Sequence, residues 1–110
     1  PADANAALTW FKRAYAAGRT EALSYIGEVY ETNTRLRDPV LAARSYVQAL
    51  QAGDSWPARR GAGEWDGEMA RAMQEALFEV GVYQGPFDGA MGPAVQEAMD
   101  TLLRRSQPSS

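Results

Sequence analysis

The sequence predicts an all-α protein, and three observations carry that prediction. Apolar residues recur at three- and four-residue spacing in five separate segments, which is the period of an amphipathic helix. No segment alternates apolar and polar residues in the way that a half-buried β-strand does. Glycine, proline and short polar stretches separate the segments, as they do where helices end.

The first half of the chain contains three predicted helices, at residues 3–17, 20–30 and 39–52. Residues that favour helix starts and stops lie at their ends: Asp3, Thr20 and Asp38 as N-caps, Pro39 at a first helical position, and Gly18 and Gly53 as stops. Gly27 lies inside the second predicted helix, where glycine costs about 1 kcal/mol relative to alanine. We therefore expect a neighbouring helix to approach closely at Gly27.

The second half contains two further predicted helices, at residues 68–80 and 93–105, with a loop over residues 84–92. Residues 54–67 keep no helical period and are rich in glycine, proline and arginine, so the boundary between the halves is predicted there. One short helical turn within residues 55–66 would give the second half three helices. Neither half is long enough for an ample core of its own. We therefore expect Trp56 and Trp65 to hold this segment on a helical surface and to cover the seam.

The composition excludes several kinds of chemistry. The 110 residues include no cysteine and no histidine, which rules out disulfides, thiolate metal sites, zinc catalysis and Ser-His or Cys-His nucleophiles. The net charge is −3 and no basic stripe is present, so nucleic acid is not an expected partner. No apolar run approaches the length of a membrane span. We expect no catalytic residue, no metal and no cofactor.

Two pairs of charged residues are expected to be solvated. Glu28 and Glu31 lie three residues apart on the second predicted helix, a spacing at which paired carboxylates can do acid–base work. No nucleophile or partner base accompanies them, so a solvated face is the better interpretation. Arg59 and Arg60 are expected to form a solvated pair in the boundary segment, with contact to an acidic partner as the alternative.

An internal repeat organises the first half. Residues 10–18 align with residues 45–53 at an offset of 35 residues, with aromatic, alanine, large apolar and glycine positions in register. A helix–turn–helix unit of this length is the stacking unit of α-solenoids. Together with the string ALSYIGEVY at residues 22–30, the pattern resembles the Sel1-like repeat, a relative of the tetratricopeptide repeat. The resemblance implies stacked hairpins that contact protein partners, and a generic alanine-rich hairpin is the alternative.

Glycine, aromatic and aspartate residues form a second pattern, between residues 67 and 102. The positions concerned are Gly67, Ala70, Met73, Gln74, Leu77, Gly81, Tyr83, Gly85, Asp88, Gly89, Met91, Gly92 and Ala98. This pattern resembles the peptidoglycan-binding domain of the three-helix type, and the string GPFDGAMGP is its most specific part. The sequence departs from the family at Ala70 in place of valine, Met73 in place of leucine, the extra residue Val82, and Met91 in place of an aromatic residue.

The loop over residues 84–92 is the candidate ligand-binding site, with Tyr83, Phe87, Asp88 and Met91 expected around a groove. The glycines of this loop permit tight turns that no helix requires. Tyr83 would supply an aromatic wall and a hydroxyl, and Phe87 would anchor the loop to the helices. Asp88 would hold the loop shape by accepting backbone N–H groups. The resemblance implies that the groove holds a muropeptide stem, and a purely structural connector is the alternative.

Together, the two resemblances imply an all-α fold in which Sel1-like helical repeat hairpins, residues 1–54, pack against a small three-helix peptidoglycan-binding-like domain, residues 55–110. They imply a non-catalytic binding and scaffolding module of a bacterial cell-envelope protein, periplasmic, with peptidoglycan and proteins as partners. The alternatives are a pure protein-interaction adaptor with a structural C-terminal domain, and an accessory domain of a wall hydrolase.

The same combination of modules occurs in polar-localisation factors of alphaproteobacteria, which implies a role in cell polarity. One lysine against ten arginines fits a GC-rich genome of that kind. The chain opens at Pro1 without an initiator methionine, so we expect it to be a piece of a longer protein.

Overall fold

A computed structural model describes residues 3–108, so Pro1, Ala2, Ser109 and Ser110, at the outer ends of the two predicted domains, lie outside the described residues. Within that range the chain is all-α, as the sequence predicts, and contains no β-strand. The six α-helices among residues 3–108 are α1 Ala4–Ala16, α2 Ala22–Thr32, α3 Pro39–Gln51, α4 Trp56–Arg59, α5 Gly67–Glu79 and α6 Pro93–Ser106, and a 3-10 turn occupies Ala62–Glu64. Across the same residues, no helix has both the length and the apolar character needed to cross a lipid bilayer.

Local capping explains where α1, α3 and α5 begin and where α1 and α3 end. Asp3, Asp38 and Asp66 are the N-caps of α1, α3 and α5, and their carboxylates accept backbone N–H hydrogen bonds of 3.0, 3.1 and 2.9 Å. Gly18 and Gly53 have φ angles of +97° and +93°, the left-handed conformation that closes a helix. The predicted caps at Asp3 and Asp38 and the predicted glycine stops are therefore confirmed.

The prediction that Thr20 caps α2 is wrong. That helix begins at Ala22, and its N-cap is Glu21, whose side chain makes no capping hydrogen bond. The backbone turns tightly here, so that the N–H groups of Ala22 and Leu23 bond to the carbonyls of Arg19 and Thr20. Backbone carbonyls therefore satisfy the donors that the Thr20 hydroxyl was expected to satisfy, and the helix starts two residues later.

α3 is the centre of the fold, with one side packed on α2 and another on α5 and α6, while α1 packs on α2. One apolar cluster joins both halves, and its larger members are Tyr46, Val47, Leu50, Trp65, Met69, Met73, Leu77, Tyr83, Val95, Met99 and Leu102. The core therefore continues across the boundary segment. The close approach predicted at Gly27 is confirmed, because the ring of Tyr46 lies against it.

The boundary segment folds onto α3. Trp56 and Trp65 lie against the buried ring of Tyr46, with centroid distances of 5.7 and 5.6 Å. The side-chain amide of Gln96 on α6 donates to the carbonyl of Ala58 at 2.9 Å, which fixes α4 from the other side. The prediction that the two tryptophans hold this segment on a helical surface is confirmed, and the predicted short turn consists of α4 and the 3-10 turn.

Candidate functional site

The buried side chain of Gln74 makes three hydrogen bonds to the loop after α5. Its amide N–H2 donates to the Asp88 carboxylate at 2.8 Å and to the carbonyl of Ala90 at 2.9 Å. Its amide oxygen accepts from the N–H of Gly89 at 3.0 Å. Asp88 also accepts from the N–H of Ala90 at 3.0 Å, as expected for a residue that holds the loop shape. These bonds, that from Gln74 first, hold the pKa of the Asp88 carboxyl below its ordinary value.

Gln74 belongs to the glycine, aromatic and aspartate pattern of residues 67–102, but the pattern itself indicates no role for it. It is fully buried on α5, between the apolar residues Met73 and Leu77. A polar side chain on the apolar face of a helix needs hydrogen-bond partners, and that was the signal available from the sequence. Its position at the base of the loop makes the loop a rigid part of the domain.

Tyr83 lies underneath the loop instead of beside an open groove. Its side chain is 5% exposed, and its hydroxyl donates to the carbonyl of Pro86. Burial raises the pKa of the Tyr83 phenol, with the carboxylate of Asp88 as a second cause. Tyr83 therefore supports the loop from below, and its ring does not supply the exposed aromatic wall that the sequence led us to expect.

The exposed aromatic surface beside the loop consists of Phe78 and Phe87. Phe87 and Met91 are half-buried against the core, and the ring of Phe78 is 50% exposed. The two phenylalanine rings meet edge to face, with centroids 5.4 Å apart. The structure thus gathers Tyr83, Phe87, Asp88 and Met91 on one loop and adds Phe78. The only signal of Phe78 in the sequence is that it is a large aromatic residue outside the apolar stripe of α5.

A second site lies between α2 and α4, around a buried ion pair. Arg60 donates to the two carboxylate oxygens of Glu31, at 2.7 and 3.0 Å, and to the carbonyl of Glu64 at 2.7 Å. The hydroxyl of Tyr46 donates to the Glu31 carboxylate at 2.6 Å. The guanidinium of Arg60 lies over the Trp65 ring, 3.8 Å from its centroid. Both charged groups are therefore paired and hydrogen-bonded, as burial requires.

These contacts shift the pKa values of Glu31, Arg60 and Tyr46. Burial alone would raise the pKa of the Glu31 carboxyl, but the hydrogen bonds from Arg60 and Tyr46 outweigh it and hold that pKa below its ordinary value. Burial would lower the pKa of Arg60, and the bond to Glu31 reverses the effect. Burial and the bond to Glu31 both raise the pKa of Tyr46. The carboxylate and the guanidinium thus stay charged and the phenol stays protonated at neutral pH, so this cluster offers no free general base.

The expectation that Glu31 and Arg60 are solvated is wrong. Glu31 is 7% exposed, and the Arg60 side chain is 12% exposed in the pair. The two residues are 29 positions apart, so no local pattern connects them. The available signal was the position of Arg60 between Trp56 and Trp65, because arginine stacks on aromatic rings.

Two adjoining cavities, of about 500 and 240 Å³, form a groove along α2 that we call the α2–α4 groove. Its lining residues are Glu21, Ser24, Tyr25, Glu28, Glu31, Thr32, Asp54, Trp56, Arg59, Arg60 and Glu64. Glu28, Trp56 and Arg59 line both cavities. Arg59 is exposed, as expected, whereas Glu28 is half-buried in the groove wall instead of on a solvated face. Aromatic rings beside charged side chains suit the binding of a polypeptide segment.

Within residues 3–108, no group of three or more His, Cys, Asp or Glu side chains is placed to hold a metal ion. The fold and the two sites define an all-α protein whose single core is built around α3. No family model, curated protein or solved structure matches the chain. The Sel1-like and peptidoglycan-binding resemblances therefore stay predictions.

Proposed function

We propose that this chain is a non-catalytic binding and scaffolding module of a bacterial cell-envelope protein in the periplasm. The second half contacts peptidoglycan, and helices α1–α3 contact protein partners. The observation that carries the proposal is the exposed edge formed by Phe78 and Phe87 beside a loop that Gln74 holds rigid.

This edge has the chemistry that a sugar or a short peptide requires. The two rings are nearly perpendicular, so one of them can pack flat on the apolar face of a sugar while the other borders it, and the exposed Asp88 lies in the same loop as Phe87. Because Gln74 already orders the loop, a loss of loop conformational entropy does not oppose binding. The second half carries five arginines against eight carboxylates, so attraction to an anionic polymer does not contribute.

The test is co-sedimentation of the chain with purified sacculi. We expect the wild-type chain to sediment, with little change between low and high salt. Phe78→Ala should lower the bound fraction severalfold, and the helical circular dichroism signal should stay unchanged because half of the ring is exposed. Tyr25→Ala, at a ring 51% exposed on α2, is the matched control and should bind as the wild type does. A wild-type chain that stays in the supernatant at every salt concentration overturns the peptidoglycan contact.

A second candidate is a protein-interaction adaptor whose second half is purely structural. Two observations favour it: the hydroxyl of Tyr83 is bonded inside the loop, and the α2–α4 groove is open. The sedimentation experiment separates the two candidates, because an adaptor has no reason to bind sacculi.

A further inference from the structure

Helix α1 leaves one face uncovered within residues 3–108. The helix packs on α2, and Leu8 is its one buried residue. On the uncovered side, Trp10 is 69% exposed. A surface cavity of about 300 Å³ lies there, and its lining, which we call the α1 outer face, consists of Trp10, Arg13, Ala14, Ala17 and Arg19.

The α1 outer face has the shape that receives another helix. Positions 10, 13, 14 and 17 follow the three- and four-residue spacing with which one side of a helix meets a neighbour. Ala14 and Ala17 are small, so a second backbone can approach closely between the longer side chains. Trp10 is a large aromatic residue that is 69% exposed to water, which is typical of an interaction surface.

The charge of this face indicates the kind of helix that fits. The residues that line this face include Arg13 and Arg19 and no acidic residue, in a chain whose net charge is −3. Neither Arg13 nor Arg19 is in an ion pair among the described residues. A second copy of α1 placed on this face would bring like charges together, whereas an acidic helix would meet complementary charge.

We propose that the α1 outer face docks an acidic amphipathic helix of a partner protein. The inference deepens the proposed function, since it rests on the protein-binding role given there to α1–α3. Apolar side chains of the incoming helix cover Trp10 and the surface at Ala14 and Ala17. Its aspartate or glutamate residues pair with Arg13 and Arg19.

The experiment uses two designed helical peptides, each with leucines at heptad spacing, one with glutamate and one with lysine at the remaining charged positions. Fluorescence anisotropy of the labelled peptides measures their binding to the full chain. We expect the glutamate peptide to bind, with affinity that falls as salt is raised, and the lysine peptide not to bind. Absence of binding by the glutamate peptide, or equal binding by both, overturns the proposal.

Amino-acid substitutions test whether the glutamate peptide binds at the α1 outer face. Trp10→Ala, and Arg13→Glu combined with Arg19→Glu, should each weaken binding of the glutamate peptide by about tenfold or more. The matched controls are Phe78→Ala, an exposed ring on α5, and Arg105→Glu, an exposed arginine on α6; both should leave binding unchanged. Equal effects of the control and the α1 substitutions contradict the assignment.

Two further measurements complete the test. Sedimentation equilibrium shows whether the chain self-associates; a dimer that Trp10→Ala abolishes means that a second copy occupies the face and overturns the proposal. Sedimentation with sacculi is measured for the same variants, and Trp10→Ala should behave there as the wild type does. If the chain does not sediment with sacculi but still binds the glutamate peptide, only the peptidoglycan contact is overturned. The two failures are therefore distinguishable.

Discussion

The ring of Tyr46 on α3 lies directly against Gly27 on α2, where a β-carbon would sit 2.5 Å from Cε1 of the ring. Tyr46 is fully buried, and its hydroxyl donates to Glu31, one turn further along α2. The ring cannot move away from Gly27 without losing that hydrogen bond or disturbing Trp56 and Trp65 on its other sides. Gly27 therefore sets how closely α2 and α3 pack.

Replacing Gly27 by alanine should destabilise the protein. Overpacking a core costs about 1–3 kcal/mol, and this outweighs the gain of about 1 kcal/mol in helix propensity. We expect urea unfolding followed by circular dichroism to show a lower midpoint. Gly67→Ala is the control, because a β-carbon at this helical glycine meets no atom within 4 Å. An equal effect of the two substitutions would mean that Gly27 is not under steric restriction.

Removing the guanidinium of Arg60 should cost more than any surface substitution in the boundary segment. Arg60→Ala leaves the Glu31 carboxylate buried without its cation, a change worth about 3–5 kcal/mol. Arg60→Lys keeps the charge but loses the two-pronged bond, so its stability should lie between those of the alanine variant and the wild type. Arg59→Ala, at the neighbouring exposed arginine, should be nearly neutral by the same urea measurement. Comparable losses at both arginines would contradict the burial of the pair.

Acid should weaken the fold through Glu31. The pKa of this carboxyl is lower in the folded protein than its ordinary 4.5, so the unfolded chain takes up protons first as the pH falls. The stabilisation is therefore fully present above that ordinary value and is lost as the pH falls through the lower folded-state pKa. Asp66 and Asp88 act in the same direction, since their pKa values are lowered as well.

The measurement is the difference in unfolding free energy between the wild type and Glu31→Gln at several pH values. That difference should be largest near neutral pH and should shrink on acidification, because protonated Glu31 and glutamine are both uncharged. Asp88 is present in both proteins and cancels in the difference, whereas Asp66, whose charge acts on Glu31, cancels only in part. A difference that stays constant with pH would falsify the assignment of the lowered pKa to Glu31.

The sequence predicts those parts of the fold that depend on residues close together in the chain. Asp3 and Asp38 cap helices through N–H groups two and three positions away, so the cap and its target appear in one short string. The same reasoning fails at Thr20, because backbone carbonyls and not its hydroxyl accept the N–H groups at the start of α2. The Glu31–Arg60 pair could not be predicted, because the proximity of α2 and α4 is a property of the whole packed chain.

The position of the loop over residues 84–92 was predictable from the sequence, but its detailed arrangement was not. The glycines and Asp88 located the loop, because turn residues act locally. Which aromatic ring faces solvent depends on how the loop lies over α5, and that arrangement buries Tyr83 and exposes Phe78. The burial of Gln74 decides the arrangement, and its partners are 14 to 16 positions away.

Gln74→Leu should loosen the loop. Leucine keeps a side chain of similar size on α5 but leaves the N–H of Gly89 and the carbonyl of Ala90 without partners, a loss of about 1–3 kcal/mol. Hydrogen exchange at the Gly89 amide should become faster, and the urea midpoint should fall. Asp88→Ala should have a smaller effect in the same direction, because Gln74 still bonds to the N–H of Gly89 and the carbonyl of Ala90. Gln51→Leu, at an exposed glutamine on α3, is the control and should leave the Gly89 exchange rate unchanged.

The whole chain should unfold in one step, because Tyr46 joins both halves. Its ring packs on α2 on one side and on Trp56 and Trp65 of the boundary segment on the others, so neither half can open without exposing the core of the other.

Trp10 is exposed and would add a signal unrelated to this core, so the measurement uses Trp10→Phe. In that variant the fluorescence of Trp56 and Trp65 reports the seam and circular dichroism reports the helices. The two urea curves should coincide. Fluorescence that changes at a lower urea concentration than circular dichroism would show that the seam opens while the helices persist, and that the two halves are stable separately.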